Sequence, residues 1–264
     1  MVNIKIIIFI SYLILITNKT FNSKIKDYMK QSKSSNSILK VGTTGDYKPV
    51  SFYNKDTNTY EGIDIELSQL YAKEHNLKIN FVPTSWPTLL EDTMNNKFDF
   101  AICGITITEK RQQNALMTIG YLTAGKTFLM RKEDVDKYKS IEDVNRPNVR
   151  VMINPGGTNE QFALANLKSA NIIVHQVNEE IPGLISKGEA DIMVTEVMEG
   201  LVYIKEFDNL AVPLYRTPFT NNPIGILLNK SRKDLLKELN NWLEIKLNDG
   251  TVERIKQKYI PYPK

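Results

Sequence analysis

From residue 38 onward, short strand-like runs alternate with helical stretches, and the alternation stops once and then restarts. "ILKVGTT", "LKINFVP" and "FDFAICGI" read as strands. The helical pieces between and after them are "IDIELSQLYAKEHN", "WPTLLEDTMNNK" and "TEKRQQNALM", the last with Thr108 as its N-cap. In the first helix Ile63, Leu67, Leu70 and Tyr71 fall on one face, the spacing of an amphipathic helix. "SFYNKDTNTYEGID" interrupts as a hairpin-like excursion. The order βαβαβα predicts an α/β unit, a mostly parallel sheet with helices on both faces.

The extended stretch "YLTAGKTFLMRK" breaks this pattern, and a second series follows. Its strands are "VRVMINPGG", "NIIVHQV", "DIMVTEV" and "NLAVPLY". Its helices are "TNEQFALANLK", "EIPGLISKGEA" and "EGLVYIKEF". A second extended stretch, "PIGILLN", precedes a long helix with a core face of Leu236, Leu239 and Leu243, which stops at Gly250. "TVERIKQKY" is the last helical piece. Two α/β units joined by two extended stretches predict two lobes, crossed twice by the chain. The expected division is residues 38–126 with 225–264 in lobe 1, and 127–224 in lobe 2. Ligands of such sheets bind at the carboxyl ends of strands, so the cleft between the lobes is the expected site.

Residues 1–20 carry Lys5 before an apolar run from Ile6 to Ile16, the length of a secretory h-region. They are read as a signal peptide, followed by a polar linker at 21–37; an uncleaved anchor is the other reading of that run. No cysteine follows it, which argues against a lipid anchor, and export to a bacterial periplasm is expected. The 264 residues, 42% hydrophobic and 24% charged, fit a globular protein. The net charge of +4 is spread without a basic stripe interleaved with aromatics, so no nucleic-acid partner is expected. Cys103 is the only cysteine, which rules out an internal disulfide; it reads as a core thiol. His75 and His175 sit in unrelated segments. No metal-ligand spacing or phosphate-binding glycine pattern occurs, and no cofactor is expected.

The loops after the strands are rich in hydrogen-bonding groups: "TTGDYKP" (43–49), "TSWP" (84–87), "GITITEKR" (104–111), "NPGGTNE" (154–160) and "TEVME" (195–199). They offer Asp46, Tyr47, Trp86, Thr106, Arg111, Thr158, Asn159, Glu196 and Glu199 as candidates, with Lys126 in the crossing stretch. "NPGGTNE" opens a helix, where Thr158 or Asn159 can cap and backbone amides favour an anion. Arg111 can hold a carboxylate bidentately or lie in solvent. Lys126 can meet a second anion or be solvated. Trp86 can wall a flat ring or pack the core. Glu196 and Glu199 close a buried strand, where a carboxylate is costly unless it caps, pairs or serves a ligand.

These loops resemble the type II periplasmic solute-binding proteins, in the branch that contains cyclohexadienyl dehydratase. "TTGDYKPVSF", "EGIDIEL", "FVPTSWPTLL", "TITEKRQ", "YLTAGKT", "RPNVRVMINPGGTNEQFA" and "ADIMVTEVME" carry the resemblance, which spans about Ile38 to Tyr259. It implies the type II two-lobed fold and a cleft that converts prephenate to phenylpyruvate or L-arogenate to phenylalanine. Through the "TExxE" match it makes Glu199 the general acid, with Glu196 its companion where the family pattern has aspartate. It implies that Arg111 holds a substrate carboxylate and that Lys126, Thr158, Asn159 and Trp86 shape and charge the rest of the pocket. The same fold also serves receptors of amino-acid or carboxylate ABC transporters, whose partner is a permease. That is the competing expectation.

Overall fold

The structure, a computed structural model, describes residues 37–260. The expected signal peptide, and the linker up to residue 36, lie outside the described residues. Two five-stranded sheets form the two lobes.

In the first, β1 (Ile38–Thr43) leads through a short hairpin unit, β2 (Asp46–Tyr47), β3 (Ser51–Asn54) and β4 (Thr59–Glu61), into helix α1 (Ile63–Glu74). Then come β5 (Lys78–Pro83), α2 (Leu89–Met94), β6 (Phe100–Ala101), α3 (Glu109–Asn114) and β7 (Leu116–Met117). β8 (Leu122–Ala124) makes the crossing. The second lobe follows with β9 (Lys126–Arg131), α4 (Ile141–Val144), β10 (Arg150–Ile153), α5 (Thr158–Asn166), β11 (Asn171–Val174) and α6 (Ile181–Ser186). β12 (Ile192–Glu196), α7 (Val197–Glu206) and β13 (Leu210–Ala211) complete it. The chain returns through β14 (Asn222–Ile224), antiparallel to β8, to β15 (Leu227–Leu228), α8 (Lys233–Asn248) and α9 (Thr251–Tyr259).

The sheets are mixed rather than mostly parallel. The first has the order β5-β1-β6-β15-β7 and the second β11-β10-β12-β9-β13. In each, the βαβ-connected strands pair in parallel, while the strand entering from the other lobe, β15 or β9, pairs antiparallel. A strand arriving by a crossing has no helical crossover to turn it round. The helix expected over "TEKRQQNALM" ends at Asn114, and Leu116–Met117 pair with β15 instead. Lys126 opens β9 of the second sheet rather than lying within the crossing.

Alternation along the strands builds a core on each face. In the second lobe Phe128, Val151, Ile192 and Val194 go to one cluster, and their neighbours Leu129, Met152 and Met193 to the opposite one. Cys103 is buried in the first lobe with Leu89, Phe98 and Leu227, and burial pushes its thiol up to about 12.

Helix α8 covers the other face of the first sheet with Leu239, Trp242 and Leu243. Trp242 packs edge-on to Tyr71 and donates its indole N–H to Glu74 Oε2 at 2.7 Å. Trp242→Ala removes that ring, while Glu74 keeps its pair with Lys246. It should lower the unfolding free energy by about 3–5 kcal/mol in urea titration, whereas Ile245→Ala on the exposed face should change it by under ~0.5 kcal/mol.

Candidate functional site

Register creates the first half of the site. β9 runs antiparallel to β12 with Lys126 opposite Glu196, at the strand end that faces the other lobe. Lys126 Nζ donates to Glu196 Oε1 at 2.7 Å, Thr158 Oγ1 at 2.7 Å and Asn159 Oδ1 at 2.6 Å. These three bonds use the three donors of an ammonium group. Thr158 and Asn159 therefore do not cap α5. Its N-cap is Gly157, without a side-chain bond, and the two side chains turn to the lysine. Tyr47, from the other lobe, donates its hydroxyl to Glu196 Oε2. Burial first, then the charges of Glu196 and Glu199, raise the Tyr47 phenol well above its ordinary value.

Glu199 lies in the first turn of α7 and is fully buried. It caps nothing. Its Oε1 accepts from Asn178 Nδ2 at 2.7 Å and from Tyr203 OH at 3.3 Å, and its Oε2 accepts from the Thr195 hydroxyl. No cation bonds to it among the described residues. Burial pushes its carboxyl up to about 8, and the negative charges of Glu196 and Asp46 add to the rise. The Thr195 and Asn178 hydrogen bonds pull the other way and are outweighed. A helix N-terminus ordinarily favours the ionised acid, and here desolvation overrides it. Two carboxyls three residues apart thus part company: Glu196 is ion-paired, and Glu199 is neutral near pH 7.

Trp86 forms the aromatic wall. Its indole N–H donates to Asp46 Oδ1 at 3.0 Å, and its ring stands edge-on to Tyr47 with centroids 6.3 Å apart. Burial raises the Asp46 carboxyl, against hydrogen bonds from Thr44 and Trp86. Gly104, at φ +75°, leaves room for the Tyr47 ring, since a Cβ there would come within 2.3 Å of it. The Gly104 amide donates to Asp64 Oδ2 at 2.6 Å. The lobes touch directly: Asn178 Nδ2 reaches the Asp46 carbonyl at 3.0 Å, and Lys48 pairs with Glu206 at 2.8 Å. At the backbone of Gly156 an added Cβ would lie 2.4 Å from Pro87 N. The cavity left between them measures about 30 Å³. A small-molecule site takes several hundred Å³, so a ligand enters by parting the lobes and exchanging some of these bonds.

Of the residues expected from sequence, Tyr47, Trp86, Lys126, Thr158, Asn159, Glu196 and Glu199 line this cavity. Asp46 stands behind Trp86 as the acceptor of its indole. Thr106 and Arg111 are outside the lining. Thr106 is buried, and its carbonyl accepts from Arg111 Nη1 at 2.7 Å. Arg111 faces a neighbouring groove of about 410 Å³ with Trp86, Thr108, Lys110 and Gln161, and none of the ion pairs among the described residues involves it. Burial lowers its guanidinium from the ordinary value, opposed by the nearby Cys103 and Glu196. Asn154 and Asn178 also line the cavity, and sequence reasoning missed both. Asn154 opens the "NPGGTNE" loop, and Asn178 follows β11, the strand whose trailing loop was not weighed. Among the described residues, no group of three or more His, Cys, Asp and Glu could hold a metal ion.

Comparison with known proteins bears on the fold and the family. A cyclohexadienyl dehydratase of Pseudomonas aeruginosa is 35% identical over 225 residues, 85% of this chain and 83% of its own. An ABC transporter glutamine-binding protein of Bacillus subtilis is 26% identical over 238 residues, 89% of this chain and 85% of its own. The crystal structure of an ancestral amino-acid-binding protein, described as a precursor of cyclohexadienyl dehydratase, superposes with a TM-score of 0.78 at 36% identity. It covers 90% of this chain and 99% of its own. The family model for bacterial extracellular solute-binding proteins, family 3, matches residues 39–262. With two sheet-based lobes closing on a polar cleft, the chain belongs to that family and has the type II periplasmic-binding-protein fold.

Proposed function

We propose that this protein is a cyclohexadienyl dehydratase, acting on prephenate, L-arogenate or both, in the phenylalanine branch of aromatic biosynthesis and in the periplasm. The observation that carries the reading is Glu199, a carboxyl at the cavity wall with no cation bonded to it and pushed up to about 8. A proton donor must be protonated at the working pH, and the raised carboxyl of Glu199 meets that requirement.

The chemistry follows from the substrate. The C4 hydroxyl of the cyclohexadiene leaves as water once Glu199 delivers its proton. The C4–O bond breaks as the ionised ring carboxylate departs as CO2, and the electron pair of that C–C bond closes the aromatic ring. The products are water, CO2 and phenylpyruvate or phenylalanine. Glu199, left as a carboxylate, is stabilised by Asn178 and Thr195 until solvent returns a proton. Lys126 supplies positive charge for a substrate carboxylate by exchanging one of its present partners; Arg111, which faces the neighbouring groove, can add to it only once the lobes have parted. Trp86 and Tyr47 flank the ring. Closure excludes water and fixes the geometry.

The second reading is a receptor for an amino acid, delivering to an ABC permease. Glu196 favours it: an acid at the end of β12 that already meets an ammonium group is placed to take another. Its present bonds to Lys126 and Tyr47 weigh against it.

Purified protein should convert prephenate or L-arogenate to aromatic product. Glu199→Gln should lower kcat by roughly 10²–10⁴-fold with little change in KM. Tight binding of an amino acid without turnover of either compound would establish the receptor instead. Because Glu199 works protonated, activity should be flat through neutral pH and fall as pH rises past about 8 in the kcat/KM profile. In kcat the same limb should lie higher, since the substrate's carboxylates disfavour ionisation further.

A further inference from the structure

Asn178 lies in the short turn Asn178–Glu180 that follows β11 and precedes α6, far along the chain from Glu199 and opposite Asp46 across the cleft. It is nearly fully buried. Its Nδ2 carries two hydrogens and meets two acceptors, Glu199 Oε1 at 2.7 Å in its own lobe and the Asp46 carbonyl at 3.0 Å in the facing one. Turning the amide over would put an oxygen against the Asp46 carbonyl, which can only accept, so that partner sets the orientation. Oδ1 has no partner among the described residues. The other bonds to Glu199, from Thr195 and Tyr203, come from β12 and α7 of its own lobe and reach nothing across the cleft.

We propose that Asn178 is a positioning residue: its side-chain amide ties the Glu199 carboxyl to the Asp46 carbonyl of the opposite lobe, so the proton donor takes its working orientation when the lobes meet. This rests on the dehydratase reading for its catalytic consequence, but not for the structural tie. The bond strengthens the hold on the carboxylate left after proton transfer. It also lowers the Glu199 carboxyl against the larger effect of burial. The other charged and titratable groups that act on Glu199 are Glu196 and Asp46, which raise it; Lys126 is spent on Glu196, and the Tyr47 and Tyr203 phenols stay neutral.

A residue that merely fills space would not move the titration of Glu199, and one that donates to it must. In Asn178→Leu, similar in size but without the donor, kcat should fall roughly 10- to 100-fold, the loss of one hydrogen bond to a charged group. The alkaline limb of activity should move to higher pH. Infrared difference spectra of the protonated carboxyl, assigned by the band lost in Glu199→Gln, should show the same alkaline shift. Asn178→Asp keeps the shape, removes the donor and adds an acid, so its shift should be in the same direction and larger. A Glu199 titration unmoved or lowered in both variants, or a kcat within twofold of the parent, overturns the proposal. If the parent protein turns over neither substrate, the dehydratase reading fails, and the infrared titration alone then decides the tie between Asn178 and Glu199.

Discussion

The pairing of β9 with β12 sets Lys126 directly across from Glu196, and the chemistry of the cleft depends on that register. A slip of one residue in β9 would turn Lys126 to the opposite face of the sheet from Glu196. With the register as it is, one buried cation and one buried anion satisfy each other, and Thr158 and Asn159 fill the remaining donors of the lysine. A buried ion pair contributes little net stability, but breaking one is costly, so the pair holds the strand ends in place. It also decides the state of the second acid. Lys126 bonds to Glu196, no cation bonds to Glu199 among the described residues, and burial raises the Glu199 carboxyl. Had the lysine faced Glu199, that acid would be held ionised instead.

The surrounding groups fit this division of labour. Glu199 is bonded to an amide and two hydroxyls, groups that tolerate either protonation state, because a hydroxyl can turn from donor to acceptor. The dehydratase proposed above, whose acid gives up and regains a proton, needs partners of that kind. Arginine or lysine in their place would lock it as a carboxylate. The cleft therefore places fixed charge on one carboxyl and adaptable dipoles on the other, within a single turn of helix.

Most of the architecture was legible in the sequence, because two series of βα alternation and two crossings leave few topologies open. The direction of β9 and β15 was not. Local periodicity reports whether a segment is extended and says nothing about which neighbour it will pair with. The two-residue strands, such as β7, are invisible to a window that needs several alternations, so "TEKRQQNALM" read as one helix. In the site, residues immediately after strands were found, and Glu196 and Glu199 stood out as acids closing an apolar run. Thr158 and Asn159 were found for the wrong local reason: they follow a glycine turn as caps do, but a lysine distant in sequence offered a better bond. Asn154 and Asn178 carry no charge and no pattern, and only the folded chain brings them to the cavity.

The likeness to both a lyase and amino-acid receptors has a physical basis. Both tasks need two lobes that meet over a polar ligand, and the closing contacts seen here, Tyr47 to Glu196, Asn178 to Asp46 and Lys48 to Glu206, would serve either. The difference lies in what closure does to charge. A receptor gains affinity by meeting each ligand charge with an opposite one, so its buried acids should be ionised. A dehydratase must bring together anionic substrate, fixed cations and one acid that stays neutral while everything around it is charged. That combination requires an acid shielded from the cations that bind the substrate, and Glu199 is shielded in this way by the pairing of Lys126 with Glu196. A receptor cleft gains a proton donor when a buried carboxyl is added beyond the reach of its cations, and the rest of the fold can remain as it was.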